Sequence, residues 1–349
     1  MTNNPAVSVI IPMFNASKYV GQCLESLLAQ TFQDFEVIVV DDCSTDSSCA
    51  VVESFASKFD GRLTLLQHEH NTGNGVAGRN TGLKFARGKY VFNMDNDDLL
   101  TLTALEELYT LAKNFDADVV CCEKYYRATE NLGKILITSY QRGNFTDKPI
   151  LETENLPQRA QKVTREEFLV TPWSKLVRRN LLVDNEIFFP PVKIADDDIW
   201  LFALLFTAKK FLRVPNVVYI WRQTNQSLLH REKSPQETIN FWLSPLVVGL
   251  KTLDEMLGKI EFFRQNPQYR CALLEQLVHS KLERLFEASL ELSPTEIYEA
   301  IKFEFVEHLG AQDVLVAWIL TDLIVQQKIF VADRKRIAEL ERKLEEKLS

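Results

Sequence analysis

Residues 90–100 read YVFNMDNDDLL: an apolar run with the composition of a buried strand ends in three carboxylates within four residues, Asp95, Asp97 and Asp98. Like charges this close repel and raise each other's pKa values unless something positive sits between them. Two readings follow. Either the side chains fan out into water, or a cation belongs among them. Asp95-Asn96-Asp97 is a D-x-D on a turn leaving a strand. Hard oxygen ligands of that kind select Mg2+ or Mn2+, ions that bind through one or two carboxylates plus substrate phosphates. Acidic turns are common, so the weight of the motif depends on its neighbours.

Those neighbours alternate. VSVIIP, FEVIVVDD, LTLLQH, YVFNMD and ADVVCC are strand-like, and the segments between them carry helical apolar spacing, as in YVGQCLESLLAQ and ALEELYTLAKNF. Continuous apolar strands separated by helices predict an α/β fold with a mostly parallel, Rossmann-like sheet covered on both faces. In such sheets ligands bind beyond the carboxyl ends of the strands. The polar clusters fall there: Asn15 after the first strand, Asp41 and Asp42 after the second, Asp95 to Asp98 after the fourth.

Past Arg127 the pattern weakens. KILITSY is a strand candidate, and Thr164 to Glu167 reads as a capping box opening a helix. DIWLFALLFTAKKF and NVVYIWR then close a first domain, residues 1–231. Residues 232–349 read as a helical C-terminal region. Ser234-Pro-Gln-Glu237 and Ser293-Pro-Thr-Glu296 are the same helix start used twice, with serine as cap, proline first in the helix and glutamate reaching back. The tail RKRIAELERKLEEKLS aligns Ile337, Leu340, Leu344 and Leu348 and sets Glu339 four residues before Lys343. It is a solvated helix or a self-association surface, and docking to a membrane-bound assembly is a further expectation for the region.

The net charge of −8 argues against a general nucleic-acid binder. The N-terminus lacks the pattern of a signal peptide, and no apolar run approaches the roughly 18 residues of a membrane span, so a cytoplasmic protein is expected. The six cysteines show no metal or disulfide spacing. GNGVAG, residues 73–78, matches the glycine pattern of dinucleotide sites. The polar HEHNT separates it from its strand, however, and a ribose needs one acid, which leaves Asp97 and Asp98 unexplained.

Taken together, VSVIIPMFN, FEVIVVDDCSTDSS, NTGNGVAGRNTGLKFARGKYVFNMDNDD, WSKLVRR and ADDDIWLF resemble, in order and spacing, the family 2 glycosyltransferases of GT-A fold, and among them the bacterial enzymes of capsule, lipopolysaccharide and other surface glycans. The resemblance covers about residues 5–230 and leaves out the helical third. It implies a nucleotide-sugar donor, of which a UDP-sugar suits an aspartate-bound base, and a carbohydrate or glycolipid acceptor. It implies that Pro12, Phe14, Asn15 and Asp42 hold the base, that Arg79 lies near the diphosphate, that Asp95 and Asn96 lie near the ribose, and that Asp97, with Asp95, holds Mn2+ or Mg2+. ADDDIW corresponds to the family's acid-pair block, with aspartate where the family has glutamate. Asp197 becomes the expected catalytic base and Asp196 the alternative, while Asp198 also reads as dipole decoration of a helix start. Trp173, Lys175 and Trp200 fall on the acceptor side, where an aromatic face stacks on sugar, although a buried tryptophan fits the same pattern. His230 is placed near metal or phosphate, or at the surface.

The function expected is metal-dependent, inverting transfer of a sugar. Two other classes stay open: a sugar-nucleotide pyrophosphorylase, weakened because PMFNASKY is not a glycine- and arginine-rich loop, and a non-catalytic glycan-binding or scaffold homologue.

Overall fold

The computed structural model describes residues 4–138, 146–192, 194–224, 233–290 and 292–308, and beyond residue 320 the positions 321–326, 328–329, 333, 336–337, 339–340 and 342–343. It divides into two compact units. The first comprises residues 1–191, 195–231 and 256–273, and the second residues 192–194, 232–255 and 274–349.

Strands β1 (Val7–Met13), β2 (Phe35–Asp41), β3 (Leu63–Gln67) and β4 (Tyr90–Asn93) are the apolar runs of the sequence. Helices α1 (Val20–Leu28), α2 (Ser48–Ser54) and α3 (Gly75–Phe85) connect them. Further along come β5 (Leu99–Leu100), α4 (Ala104–Asn114), β6 (Val119–Cys122), β7 (Tyr125–Ala128), β8 (Ile135–Thr138), β9 (Ile150–Leu151), α5 (Leu156–Thr164), β10 (Lys175–Arg178), α6 (Arg179–Asp184), α7 (Asp196–Thr207), β11 (Phe211–Val214) and β12 (Tyr219–Arg222). The main sheet has the order β3-β2-β1-β4-β10-β6-β11-β9. Pairing is parallel from β3 through β4 and between β6 and β11, while β10 runs antiparallel to both β4 and β6, and β9 antiparallel to β11. A second sheet, β5-β12-β7-β8, carries the chain past the acidic turn. This is the expected mostly parallel α/β architecture, with β10 inserted against the grain.

β1 and β2 are buried along their whole length, as continuous apolar runs require when helices cover both faces. The glycines of GRNTG and its approach have a packing role. A Cβ on Gly82 would stand 2.3 Å from Cγ2 of Ile10, and one on Gly78 2.9 Å from Cβ of Pro12. Helix α3 therefore lies closer to β1 than any side chain would allow, which sets its N-terminus beside the strand ends. The GNGVAG segment thus contributes close helix–strand packing to a site that follows three strands, not a dinucleotide turn off the first.

The helix expected to open at Thr164 is corrected. Thr164 ends α5, whose start is capped by Asn155 accepting from the Gln158 N–H at 3.0 Å, with proline in the first turn. Glu166 has φ of 55°, which stops a right-handed helix.

In the second unit, α8 (Pro235–Ser244) and α12 (Pro294–His308) start as read. Ser234 Oγ accepts from the Glu237 N–H at 3.2 Å while the Ser234 N–H donates to Glu237 at 2.8 Å, and Ser293 and Glu296 repeat the exchange at 3.3 and 2.8 Å. Ile239, Leu243, Leu285, Ile297, Ala300, Ile301 and Ile324 form its core. Between α8 and α12 run a π-helical turn and α9 (Leu250–Lys259), α10 (Glu261–Gln265) and α11 (Pro267–Ser289). Residues 256–273 belong with the first unit, where Phe263 packs edge-on against Phe206 of α7 at 4.8 Å. In the tail, Glu339 pairs with Lys343 at 2.7 Å, and Ile337 and Leu340 are exposed. Leu344 and Leu348 lie outside the described residues. No helix among the described residues is long and apolar enough to cross a membrane.

Replacing Gly82 by Ala should force α3 off β1 and cost about 1–3 kcal/mol, the usual range for overpacking. Chemical denaturation measures it, and a midpoint equal to the parent's would refute the close approach.

Candidate functional site

The site gathers at the carboxyl ends of β1, β2 and β4 and the first turn of α7. Asp42 follows β2, and its carboxylate is buried among internal partners. The Thr72 N–H donates to it at 2.8 Å, the Thr72 hydroxyl at 2.9 Å, and His68 Nδ1 lies 2.9 Å away. His68 Nε2 in turn meets the Thr81 hydroxyl at 3.0 Å, so Asp42 braces the 68–74 loop against α3. Asn15 adopts the left-handed conformation with φ of 47°, and its side chain accepts from the Thr45 N–H at 2.8 Å. Asp46 adds a second tie. It accepts from the Ser17 and Ser48 N–H groups at 3.1 and 2.9 Å. Burial pushes its pKa up, but the bonds from Ser48 and Ser17 outweigh that and bring it down to about 2. Phe14 is 46% exposed on this rim, and the Pro12 carbonyl accepts from the Asn96 amide at 2.8 Å, which directs Asn96 to the end of β1.

The three acids of the opening motif take three different positions. Asp98 is buried and structural: Tyr219 donates its hydroxyl to it at 2.7 Å and the Arg222 N–H donates at 2.7 Å. Burial, with the charges of Asp97 and Asp95, pushes its pKa well up. Tyr219 also accepts from the Asp95 N–H at 3.0 Å, so one hydroxyl ties the turn at both ends. Asp95 accepts from Arg79 at 2.8 Å. Asp97 accepts from the Thr224 hydroxyl at 3.4 Å, and burial together with the charge of Asp95 raises its pKa to about 6.

Arg79, largely buried, spans the site. Beyond Asp95, its other terminal nitrogen lies 3.5 Å from Asp196 of α7, and the guanidinium stands 5.3 Å over the Phe189 ring. Burial acts against its charge, but Asp95, Asp197 and Asp196 together raise its pKa. Asp196 and Asp197 each keep a buried carboxylate oxygen without a hydrogen-bond partner. Burial pushes both pKa values up, that of Asp197 well up with the charge of Asp196 adding to it, while Arg79 acts the other way on both. Their helix starts at Ala195 in the left-handed conformation, φ 70°, a strained state for alanine.

The aromatic and lysine residues placed on the acceptor side are buried, as the alternative reading of a core tryptophan has it. Trp173 is buried and stacked on Tyr219 at 4.3 Å and 9°, with Tyr125 edge-on at 5.0 Å. Trp200 is buried and stacked on Phe189 at 4.6 Å and 13°. Lys175 is buried and donates to the carbonyls of Leu169 and Thr171 and the hydroxyl of Ser174. None presents a free face or charge to a sugar. Trp173 and Trp200 pack behind Tyr219 and Phe189, which touch the acidic turn and Arg79. His230 lies outside the described residues.

A hard divalent ion fits the residues present at the turn. Asp97 is a carboxylate whose pKa is raised first by burial and then by the charge of Asp95, so a cation beside the two acids would favour its ionised form. Among the described residues no group of three or more His, Cys, Asp or Glu side chains is arranged to hold a metal alone. Two carboxylates leave coordination positions for phosphate oxygens, the usual mode for Mg2+.

Residues 8–183 match the model of glycosyl transferase family 2. The chain belongs to that family. It is 31% identical over 229 residues to the glycosyltransferase GlyG of Streptococcus pneumoniae, covering 65% of this chain and 73% of that protein. It is 27% identical over 312 residues to a cholesterol galactosyltransferase of Borreliella burgdorferi, covering 87% of this chain and 82% of the other. In fold it is similar to S. aureus TarS, residues 1–349, crystallised with UDP: TM-score 0.62, 22% identity, 92% of this chain and 91% of that one. The protein is thus a glycosyltransferase of GT-A architecture.

Four residues that hold the site together, Tyr219, Thr224, His68 and Phe189, receive no individual role from the sequence, although VYIWRQTNQSLLH resembles the strand and loop that close the family's site. Each lies in an apolar or polar run with no motif of its own, and only a matching family pattern would have picked out Tyr219 in VVYIWR. Replacing Tyr219 by Phe keeps the stack on Trp173 but leaves Asp98 short of a donor and the Asp95 N–H unpaired. It should cost about 1–3 kcal/mol, the usual penalty for buried polar groups left unsatisfied. An unchanged urea midpoint would show that the hydroxyl does not secure the turn.

Proposed function

We propose that the protein is a metal-dependent, inverting glycosyltransferase that moves a sugar from a UDP-sugar to a hydroxyl of a carbohydrate or glycolipid, in the synthesis of a bacterial surface glycan at the cytoplasmic side of the membrane. One observation carries the reading. The guanidinium of Arg79 spans Asp95 of the acidic turn and Asp196 of α7, so the group that would neutralise a leaving diphosphate and the acids that would take a proton stand one side chain apart.

Transfer with inversion is one in-line displacement. The acceptor oxygen bonds to the anomeric carbon, the bond from that carbon to the phosphate oxygen breaks, and UDP departs with the electron pair. Two demands follow: a base for the acceptor proton and positive charge for the leaving group. Asp197, with Asp196 as the alternative, meets the first, because a buried carboxylate with a raised pKa is a stronger proton acceptor than an exposed one. Arg79 meets part of the second through N–H donors directed at phosphate oxygens. Mg2+ or Mn2+, when bound by Asp97 and Asp95, supplies the remaining positive charge. Phe14, Asn15 and Asp42, at the strand ends, are the residues we assign to the base and its rim. The likeness in fold to TarS, a protein crystallised with UDP and with UDP-GlcNAc, supports a uridine donor, and the poly(ribitol-phosphate) glycosyltransferases among the relatives support a surface-glycan acceptor.

Asp97→Ala or removal of divalent ions should reduce transfer by at least about a thousandfold, and Asp197→Asn should do the same while leaving UDP affinity within about twofold. Product release assays and titration calorimetry measure the two, and an active Asp197→Asn enzyme would move the base elsewhere. The base works only when ionised, so activity is lost as pH falls through its raised pKa. The acid limb of kcat/KM should therefore stand above the ordinary carboxylate range of about 4, and a limb at 4 or below would contradict the assignment.

A further inference from the structure

We infer that Asn80 and Phe189 are positioning residues of the transfer site, acting on the substrate through Arg79. The inference rests on the reading of Arg79 as the partner of the donor's diphosphate. Arg79 is held from three sides. Asp95 and Asp196 take its two terminal nitrogens, and its central carbon stands 5.3 Å over the Phe189 ring. The first two contacts are charges that a diphosphate or a divalent ion will compete with or displace. The aromatic face is neutral and stays when the donor arrives. It is the contact that can keep the guanidinium in one plane with and without ligand.

Phe189 is itself fixed at two levels. Its ring is stacked 4.6 Å above Trp200, one turn along α7 from Asp196, so the acid and the indole share a helix face. Its backbone is clamped by the side chain of Asn80, the residue after Arg79. The Asn80 amide donates to the Phe189 carbonyl at 2.9 Å, and the Phe189 N–H donates back to the Asn80 oxygen at 2.9 Å. This paired exchange uses both ends of one amide and fixes residue 189 in register with α3 from a distance of 109 positions in the chain. Trp200, Phe189 and Arg79 therefore form a stack whose last member reaches both acid groups. An unsupported arginine has many rotamers, and freezing it at binding costs affinity, so a preset plane favours bidentate capture of phosphate oxygens.

UDP binding in the presence of Mn2+, followed by titration calorimetry, tests this without knowledge of the acceptor. The set is wild type, Arg79→Ala, Phe189→Leu, Phe189→Tyr, Asn80→Ala and the Arg79→Ala/Phe189→Leu pair, with thermal melts to establish that each is folded. Phe189→Leu and Asn80→Ala should weaken UDP roughly three- to fivefold, Phe189→Tyr should stay within about twofold, and Arg79→Ala should weaken it at least about tenfold. A role exercised through Arg79 predicts that Phe189→Leu adds less than about twofold on the Arg79→Ala background. If Phe189→Leu does not fold, Asn80→Ala, alone and combined with Arg79→Ala, carries the same comparison. Wild-type affinity in Phe189→Leu and Asn80→Ala, or an undiminished loss on the Arg79→Ala background, overturns this inference alone. A wild-type protein that does not bind UDP removes the donor-site reading and this inference with it.

Discussion

The guanidinium of Arg79, largely buried between Asp95 and Asp196, ties the two halves of the site together. Acids from two distant segments share a poorly solvated space at low cost only if positive charge compensates them, and acids in turn offset the cost of burying a guanidinium. The requirement is mutual. It obliges α3, the turn after β4 and the start of α7 to meet, since each brings a member of the set. An arrangement of this kind is electrostatically prepared before any ligand arrives, and prepared dipoles and charges are the largest contribution to most enzymatic rate enhancements.

Around that centre the acids divide their work. Asp98 is consumed by structure: it fixes the turn through Tyr219 and the backbone of Arg222. Asp97 accepts a longer bond from Thr224, and burial with the charge of Asp95 raises its pKa. The difference between adjacent aspartates is one of position, since the same side chain is a brace when it faces two donors and a candidate ligand when it does not. The tryptophans follow the same logic. Trp173 and Trp200 stack on Tyr219 and Phe189, which in turn touch the acidic turn and Arg79. The two aromatic stacks are parallel devices, each steadying one polar group of the site from behind.

The strands, the helices between them, the acidic turn at a strand end, the acid pair on α7 and both serine–proline helix starts are legible in the linear chain, because each depends on residues close in sequence. The misreadings share a cause. Thr164 to Glu167 satisfies a helix-start pattern, yet the stronger signal is Asn155 with proline two residues on, and α5 ends where the other reading begins. Trp173, Lys175 and Trp200 occur where a family's acceptor residues occur, but exposure is a property of packing, and no spacing rule reports it. The assignment of residues 256–273 to the first unit likewise depends on Phe263 meeting Phe206.

What the sequence determined alone is therefore the alternation of elements, and with it the set of strand ends at which polar residues accumulate, since period and composition are local. What only the tertiary structure decided is which of those polar residues share charge. Arg79, Asp95 and Asp196 are separated by up to 117 positions along the chain (196 − 79), and nothing in any of the three segments specifies the others as partners. Their pairing arises because glycines let α3 approach β1 closely and because Asn80 fastens Phe189 beside it. Electrostatic coupling depends on distance in space, and distance in space is what folding supplies.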